Sequence, residues 1–201
     1  VGALLRHQGA LTAAQLESAV TAQRESGLKL GAQLKALGHL PADALVKALA
    51  AQAGVSYLTA VDLSRVRHAP GGLSADMVRA LGLLPFEADD ARRRLHVLCT
   101  APLPRAALRA LTRLTGWTPE PYLVDDQVWQ QAVEAYVPAG GPGTAEVVRD
   151  LEVATAHVVR AAASSREATV RYAGGGGFVW ARVESAARTQ DVLVHAGLEG
   201  R

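Results

Sequence analysis

The stretch that decides the fold is Lys29–Gln52, KLGAQLKALGHLPADALVKALAAQ. Its apolar residues recur at helical spacing, and two glycines interrupt the pattern. Shifted by 29 residues, it lies over Val1–Gln23 without a gap, and 10 of the 23 positions from Leu30 onward are identical. Four identities are Ala and carry little weight in an Ala-rich chain. The other six pair Gly2 with Gly31, Leu5 with Leu34, Gly9 with Gly38, Leu11 with Leu40, Leu16 with Leu45 and Gln23 with Gln52. An ungapped internal repeat predicts two similar supersecondary units in tandem.

Local physics accounts for much of each copy. Gly9 and Gly38 suit the left-handed residue that ends a short helix. Thr12 with Gln15 three residues on forms a capping-box pattern, and Leu11 and Leu16 have the spacing of a hydrophobic staple. In copy two Pro41 supplies the helix start in place of Thr. Each copy therefore predicts a short helix, a Gly turn and a longer helix of about three turns. Three repeated features remain. Gly2 and Gly31 fall near a helix start, where Gly costs ~1 kcal/mol against Ala, and a missing side chain permits close approach of a ligand or another backbone. Gln23 and Gln52 stand near the ends of the longer helices, where an amide could meet the edge of a nucleobase. Against this stands the bland alternative: solvated Gln side chains, and glycines that simply let helices cross.

Composition bounds the rest. The 201 residues are 49% hydrophobic and 20% charged, enough for a buried core. Aromatic residues make up only 4%, and Ala, Leu and Arg favour helices. A formal charge of +2 gives no bulk reason to expect nucleic acid. The single cysteine, Cys99, cannot form an internal disulfide and lies in the apolar run LHVLCTA, so it reads as a small buried hydrophobe. No apolar span approaches the ~20 residues that cross a bilayer, and no secretory leader pattern opens the chain. A cytoplasmic protein is expected, peripheral to the inner membrane only through partners.

Between Val55 and Val137 the pattern changes. VSYL, LLPFEA, LHVLCTA and EPYLV read as strands. SADMVRALG, PRAALRALTRLTG and DDQVWQQAVEAYV read as helices, the last capped by Asp125 or Asp126. Alternation of this kind predicts a small α/β layer, with Arg92–Arg94 in a charged turn after Asp89-Asp90. PAGGPG, Pro138 to Gly143, reads as a linker. Beyond it Val147, Val148, Leu151, Val158 and Val159 form one helical stripe over about 144–164, and ATVRYA and FVWARV flank GGGG as a hairpin. That glycine run lacks the G-x-x-x-x-G-K-[ST] pattern of a phosphate loop. The six histidines show no metal-ligand spacing, no G-x-S-x-G occurs, and no catalytic constellation is seen; the chain reads as a non-enzyme.

The doubled pattern of a cation, Leu-Gly, spaced leucines, a Gly turn and a terminal Gln resembles the MshEN domain of type II secretion and type IV pilus assembly ATPases of the GspE/PilB kind. Copy two carries Lys29, Leu30, Gly31, Leu34, Gly38, Leu40, Leu45, Leu49 and Gln52; copy one carries Val1, Gly2, Leu5, Gly9, Leu11, Leu16, Val20 and Gln23. AGVSYLTAVDL, LGLLPF, LTGWTPEPYLVDD and VWQQAVEAYV extend the resemblance over residues 1–137. It implies helical repeats over 1–53 and an α/β subdomain over 54–137, which with the linker 138–143 and a helix-hairpin tail of unassigned role over 144–201, read from the residues themselves, makes an α+β fold. It also implies a cyclic di-GMP ligand, no other cofactor, a secretion or pilus protein or an attached ATPase motor as partner, and a motor outside this chain. Carried over by position, Gly2, Leu5, Gln23, Lys29, Leu30, Gly31, Leu34 and Gln52 would line the site. The chain departs from the family at Ala101-Pro102, where Asp-Pro is frequent, and the cation that opens copy one would precede Val1. These departures support a second reading, a docking module that has lost nucleotide binding.

Overall fold

The computed structural model describes residues 2–7, 9–67, 73–136, 144–164, 167–175, 177–186 and 188–195. The helical repeats occupy the start of the chain as α1 (Gly2–His7), α2 (Ala13–Ser26), α3 (Leu30–Ala36) and α4 (Ala42–Ala53). The capping box at α2 is complete: Thr12 accepts from the Gln15 amide, and the Gln15 side chain accepts from the Thr12 amide. Gly9 and Gly38 adopt φ of 71° and 67°, so each short helix ends at the left-handed turn that the repeat predicts. The copies interlock, with α2 packed against α3 and α1 against α4. Leu5, Leu11, Ala19, Leu34, Leu40 and Ala48 form the core between them, drawn from equivalent positions of both copies.

The α/β layer follows as β1 (Ser56–Tyr57), α5 (Leu63–Arg67), α6 (Ala75–Leu81), β2 (Leu84–Asp89), β3 (Arg94–Cys99), α7 (Arg105–Thr115), β4 (Thr118–Leu123) and α8 (Asp126–Ala135). The strands pair in the order β1-β4-β3-β2. β2 and β3 make an antiparallel hairpin, whereas β3–β4 and β1–β4 are parallel. The basic turn is present, with Arg92 paired to Asp89 at 2.8 Å and Arg93 stacked 4.3 Å from the Trp117 ring. α7 is strongly amphipathic and buries Ala107, Ala110, Leu111 and Leu114. A separate cluster of Val46, Ala50, Cys99 and Leu123 fastens α4 onto the ends of β3 and β4. The molecule as a whole is α+β.

The tail differs from expectation at one point. Residues 144–148 are not the first turn of a helix but a strand, β5 (Thr144–Val148), followed by α9 (Leu151–Ala163). Asp150 caps α9 by accepting from the Glu152 and Val153 amides, so the helix cannot begin earlier. The expected hairpin is present as β6 (Thr169–Gly175) and β7 (Phe178–Glu184), and β8 (Thr189–His195) extends it. β5 joins parallel to β8, which gives a second sheet in the order β5-β8-β7-β6. This sheet is not a loose appendage: Ala173, Phe178, Trp180 and Leu193 enter the same core as Met77, Leu84 and Leu111. Beside that core, buried Asp191 accepts from Trp180 Nε1 (2.8 Å) and from Arg182 at two nitrogens (2.8 and 2.9 Å). The sequence expected as the linker, 138–143, lies outside the described residues.

Candidate functional site

A cavity of about 610 Å³ opens where copy two meets the α/β layer. This volume falls within the range typical of small-molecule sites, ~300–1,000 Å³. One wall is α3 and its cap, Lys29 to Ala32 and Lys35; Leu45 and Leu49 of α4 form the floor. The opposite wall is Thr100, Ala101 and Pro102, with Asp126 at the rim. Thr100–Pro102 leave the carboxyl end of β3, and Asp126 follows the carboxyl end of β4, its parallel neighbour. Carboxyl ends of adjacent parallel strands are the usual place for a ligand in α/β sheets.

The lining is apolar with cations at its edge. Lys29 is exposed at the start of α3, and Lys35 donates to Asp126 Oδ2 at 2.7 Å. Two ammonium groups against one carboxylate leave the rim net positive, which suits an anionic ligand. Asp125 next to it is occupied as the α8 cap, accepting from the Val128 amide at 2.8 Å. Behind the wall, burial pushes the Cys99 thiol up to about 12, so it is an inert packing group as expected. Among the described residues no group of three or more His, Cys, Asp or Glu could hold a metal ion, and no helix is long and apolar enough to cross a membrane.

The predicted site residues divide into three sets. Lys29, Leu30 and Gly31 come together on the cavity wall. Leu5 and Leu34 are fully buried in the helical core and do not line this cavity. Gly2 is also buried: a Cβ there would stand 2.8 Å from Leu16 Cδ1. A Cβ at Gly31 would stand 3.0 Å from both Cδ atoms of Leu45, the repeat equivalent of Leu16. Both glycines therefore let a short helix seat on a leucine of its own copy, and Gly31 does so while lining the cavity. Gln23 and Gln52 sit in the last turns of α2 and α4, half-buried and exposed respectively, and neither lines this cavity. Lys35, Leu45, Leu49, Thr100 and Asp126 were not among the residues expected to line the site, although Leu45 and Leu49 belong to the repeat motif. Lys35 carried a signal, since it lies four residues after Gly31 and so on the same helix face.

The arrangement defines a class first: tandem helical repeats seated on the strand ends of a small α/β sheet, with a cavity at the junction. Within that class, residues 53–143 match the family model of the MshEN domain, and the resemblance seen in the sequence holds. The match begins at Ala53, the last residue of α4. A solved structure of MshE with cdg aligns at a TM-score of 0.54 and 28% identity, covering 68% of this chain and 97% of that one. The N-terminal domain of XpsE shares the fold at a TM-score of 0.50 and 22% identity, covering 66% of this chain and 90% of the other. The type IV pilus assembly ATPase PilB of Thermus thermophilus is 27% identical over 161 residues. That alignment takes in 76% of this chain but only 18% of PilB, so the chain spans less than a fifth of that relative.

Proposed function

We propose that this chain is a cyclic di-GMP-binding regulatory module of a type II secretion or type IV pilus ATPase-like protein, working in the cytoplasm and without catalysis of its own. The observation that carries the reading is the cavity: it gathers Lys29, Leu30 and Gly31 of the repeat motif at the carboxyl ends of β3 and β4. The cyclic di-GMP (cdg) in the MshE structure supports the choice of ligand. A phosphate would meet the ammonium groups of Lys29 and Lys35, and a guanine would lie on Leu45, Leu49 and Pro102. Gln23 and Gln52 would reach only parts of the ligand that extend beyond the cavity. Leu5, Leu34 and Gly2 would act from behind, by fixing the helices that shape the wall.

Calorimetric titration with cyclic di-GMP tests this directly. Saturable heat is expected at ligand concentrations of about tens of micromolar, and no heat at that range sinks the reading. Lys29→Ala should weaken binding by about 1.5–3 kcal/mol, the usual size for a hydrogen bond to a charged group. A second reading, docking onto a secretion-system protein without nucleotide, is favoured by the apolar surface where α9 lies against the second sheet. There Leu151, Val159 and Tyr172 are 62%, 61% and 65% exposed. It predicts partner binding unaffected by Lys29→Ala.

A further inference from the structure

We propose that Asp126 is a built-in competitor for the ligand, and that its ion pair with Lys35 is how the cavity reports occupancy to α8. The inference rests on the binding site proposed above. Lys35 and Asp126 both line the cavity, and Lys35 Nζ lies 2.7 Å from Asp126 Oδ2. Lys35 belongs to the helical repeats and Asp126 to the first turn of α8, so the pair bridges the two halves of the domain. It is built to exchange. The Lys35 and Asp126 side chains are 31% and 72% exposed, and pairs this open to water are weak. Asp126 also has no capping duty, because Asp125 already bonds the Val128 amide. Once released, its carboxylate remains favourably placed at the positive end of α8.

An anionic ligand entering the cavity meets two cations: Lys29, which pairs with no carboxylate among the described residues, and Lys35, which is already engaged. A phosphate drawn to Lys35 shares the ammonium group with Asp126 and brings its own negative charge against that carboxylate, which pushes the pair apart. Occupancy therefore separates α3 from α8, and by reciprocity anything that holds the pair closed weakens the ligand. This assigns Asp126 a role in setting affinity and transmitting occupancy, whereas Lys35 makes the contact.

The test is titration of the whole chain with cyclic di-GMP as wild type, Asp126→Asn, Lys35→Gln and the double variant. All the altered side chains are surface-accessible, and unchanged thermal midpoints confirm folding. Asp126→Asn should tighten binding roughly two- to five-fold, the scale of an exposed pair. Lys35→Gln should weaken it about ten-fold or more. In the Lys35→Gln background the gain from Asp126→Asn should shrink, because the competition is gone. Ligand should also speed amide exchange at Trp129, whose N–H donates to the Asp125 carbonyl at 3.0 Å, in wild type but not in Asp126→Asn. Binding that is unchanged or weaker in Asp126→Asn overturns this inference and leaves the site reading standing. Exchange at Trp129 that ignores the ligand overturns the transmission to α8. No binding by the wild-type chain overturns both.

Discussion

The two repeat copies share their packing and differ in what they face. In each, a glycine near the start of the short helix seats on the leucine fourteen positions later, Gly2 on Leu16 and Gly31 on Leu45. In each, a fully buried leucine, Leu5 or Leu34, fills the core between the copies. Yet the cavity at the sheet ends is lined from copy two, because α4 rather than α2 is fastened to β3 and β4 through Val46, Ala50, Cys99 and Leu123. The lesson is that the repeat encodes a helical frame, and the neighbouring strand ends turn one half of that frame into the wall of a cavity. Arg6 and Lys35 are repeat equivalents; Lys35 pairs with Asp126 across the cavity rim, whereas Arg6 is exposed on α1.

The largest test of the shared frame is truncation of its matched leucines. Leu5→Ala and Leu34→Ala should each cost about 2–5 kcal/mol, since both side chains are fully buried and leave a cavity in one common core. Denaturant melts should give similar losses for the two. A loss at Leu34 alone would break the equivalence of the copies.

Next in size are the glycines. Gly2→Val and Gly31→Val should each destabilise by about 1–3 kcal/mol, because the new branch overpacks against Leu16 or Leu45. Ligand titration then separates them. Gly31→Val also fills the cavity wall and should abolish cyclic di-GMP binding, while Gly2→Val should keep it. Equal losses of binding would place a second site on copy one.

Alkaline pH should act first where copy two is fastened. The Cys99 thiol rises from 9.0 to about 12 because burial disfavours its thiolate. A group whose folded pKa lies above its unfolded value favours folding fully below the unfolded value and loses that contribution as pH rises. Stability supplied at Cys99 should therefore decline between pH 9.0 and about 12. Cys99→Ser or Cys99→Ala should remove that part of the pH dependence, measured by denaturant melts across the range. An unchanged pH profile would show that other groups govern it, such as Tyr136, which burial also raises.

How much of this was legible depended on whether the cause was local. Thr12 with Gln15, Gly9 and Gly38 act within one turn of themselves, and the sequence exposes them. The strands and helices of the α/β layer were likewise legible, apart from the five-residue α5. Residues 144–148 were not, because Val147 and Val148 fit a helical stripe with Leu151 as well as they fit a strand. Pairing with β8, more than forty residues on, and the Asp150 cap decide the matter. In the candidate site, Gly31 was legible because the repeat matches it to Gly2, and Lys29 and Leu30 because the family resemblance places them beside it. Asp126 and Thr100 were not, since their place on the cavity follows from sheet order, which no local pattern states.

The smallest effect, and the sharpest discriminator between the copies, belongs to the terminal amides. Gln23 and Gln52 are repeat partners, so sequence assigns them one role, but Gln52 is exposed and neither lines the cavity. An amide open to water exchanges one hydrogen bond for another and gains little by the trade. Gln52→Ala should therefore weaken cyclic di-GMP by only about 0.5–1.5 kcal/mol, the net value of an ordinary hydrogen bond. Gln23→Ala should do less, since it stands on the copy that does not line the cavity. A loss at Gln52 well beyond that range would mean that the ligand buries this amide, and that α4 must move toward it on binding. No loss at either would remove both glutamines from the site and leave their repetition as a property of the helix ends.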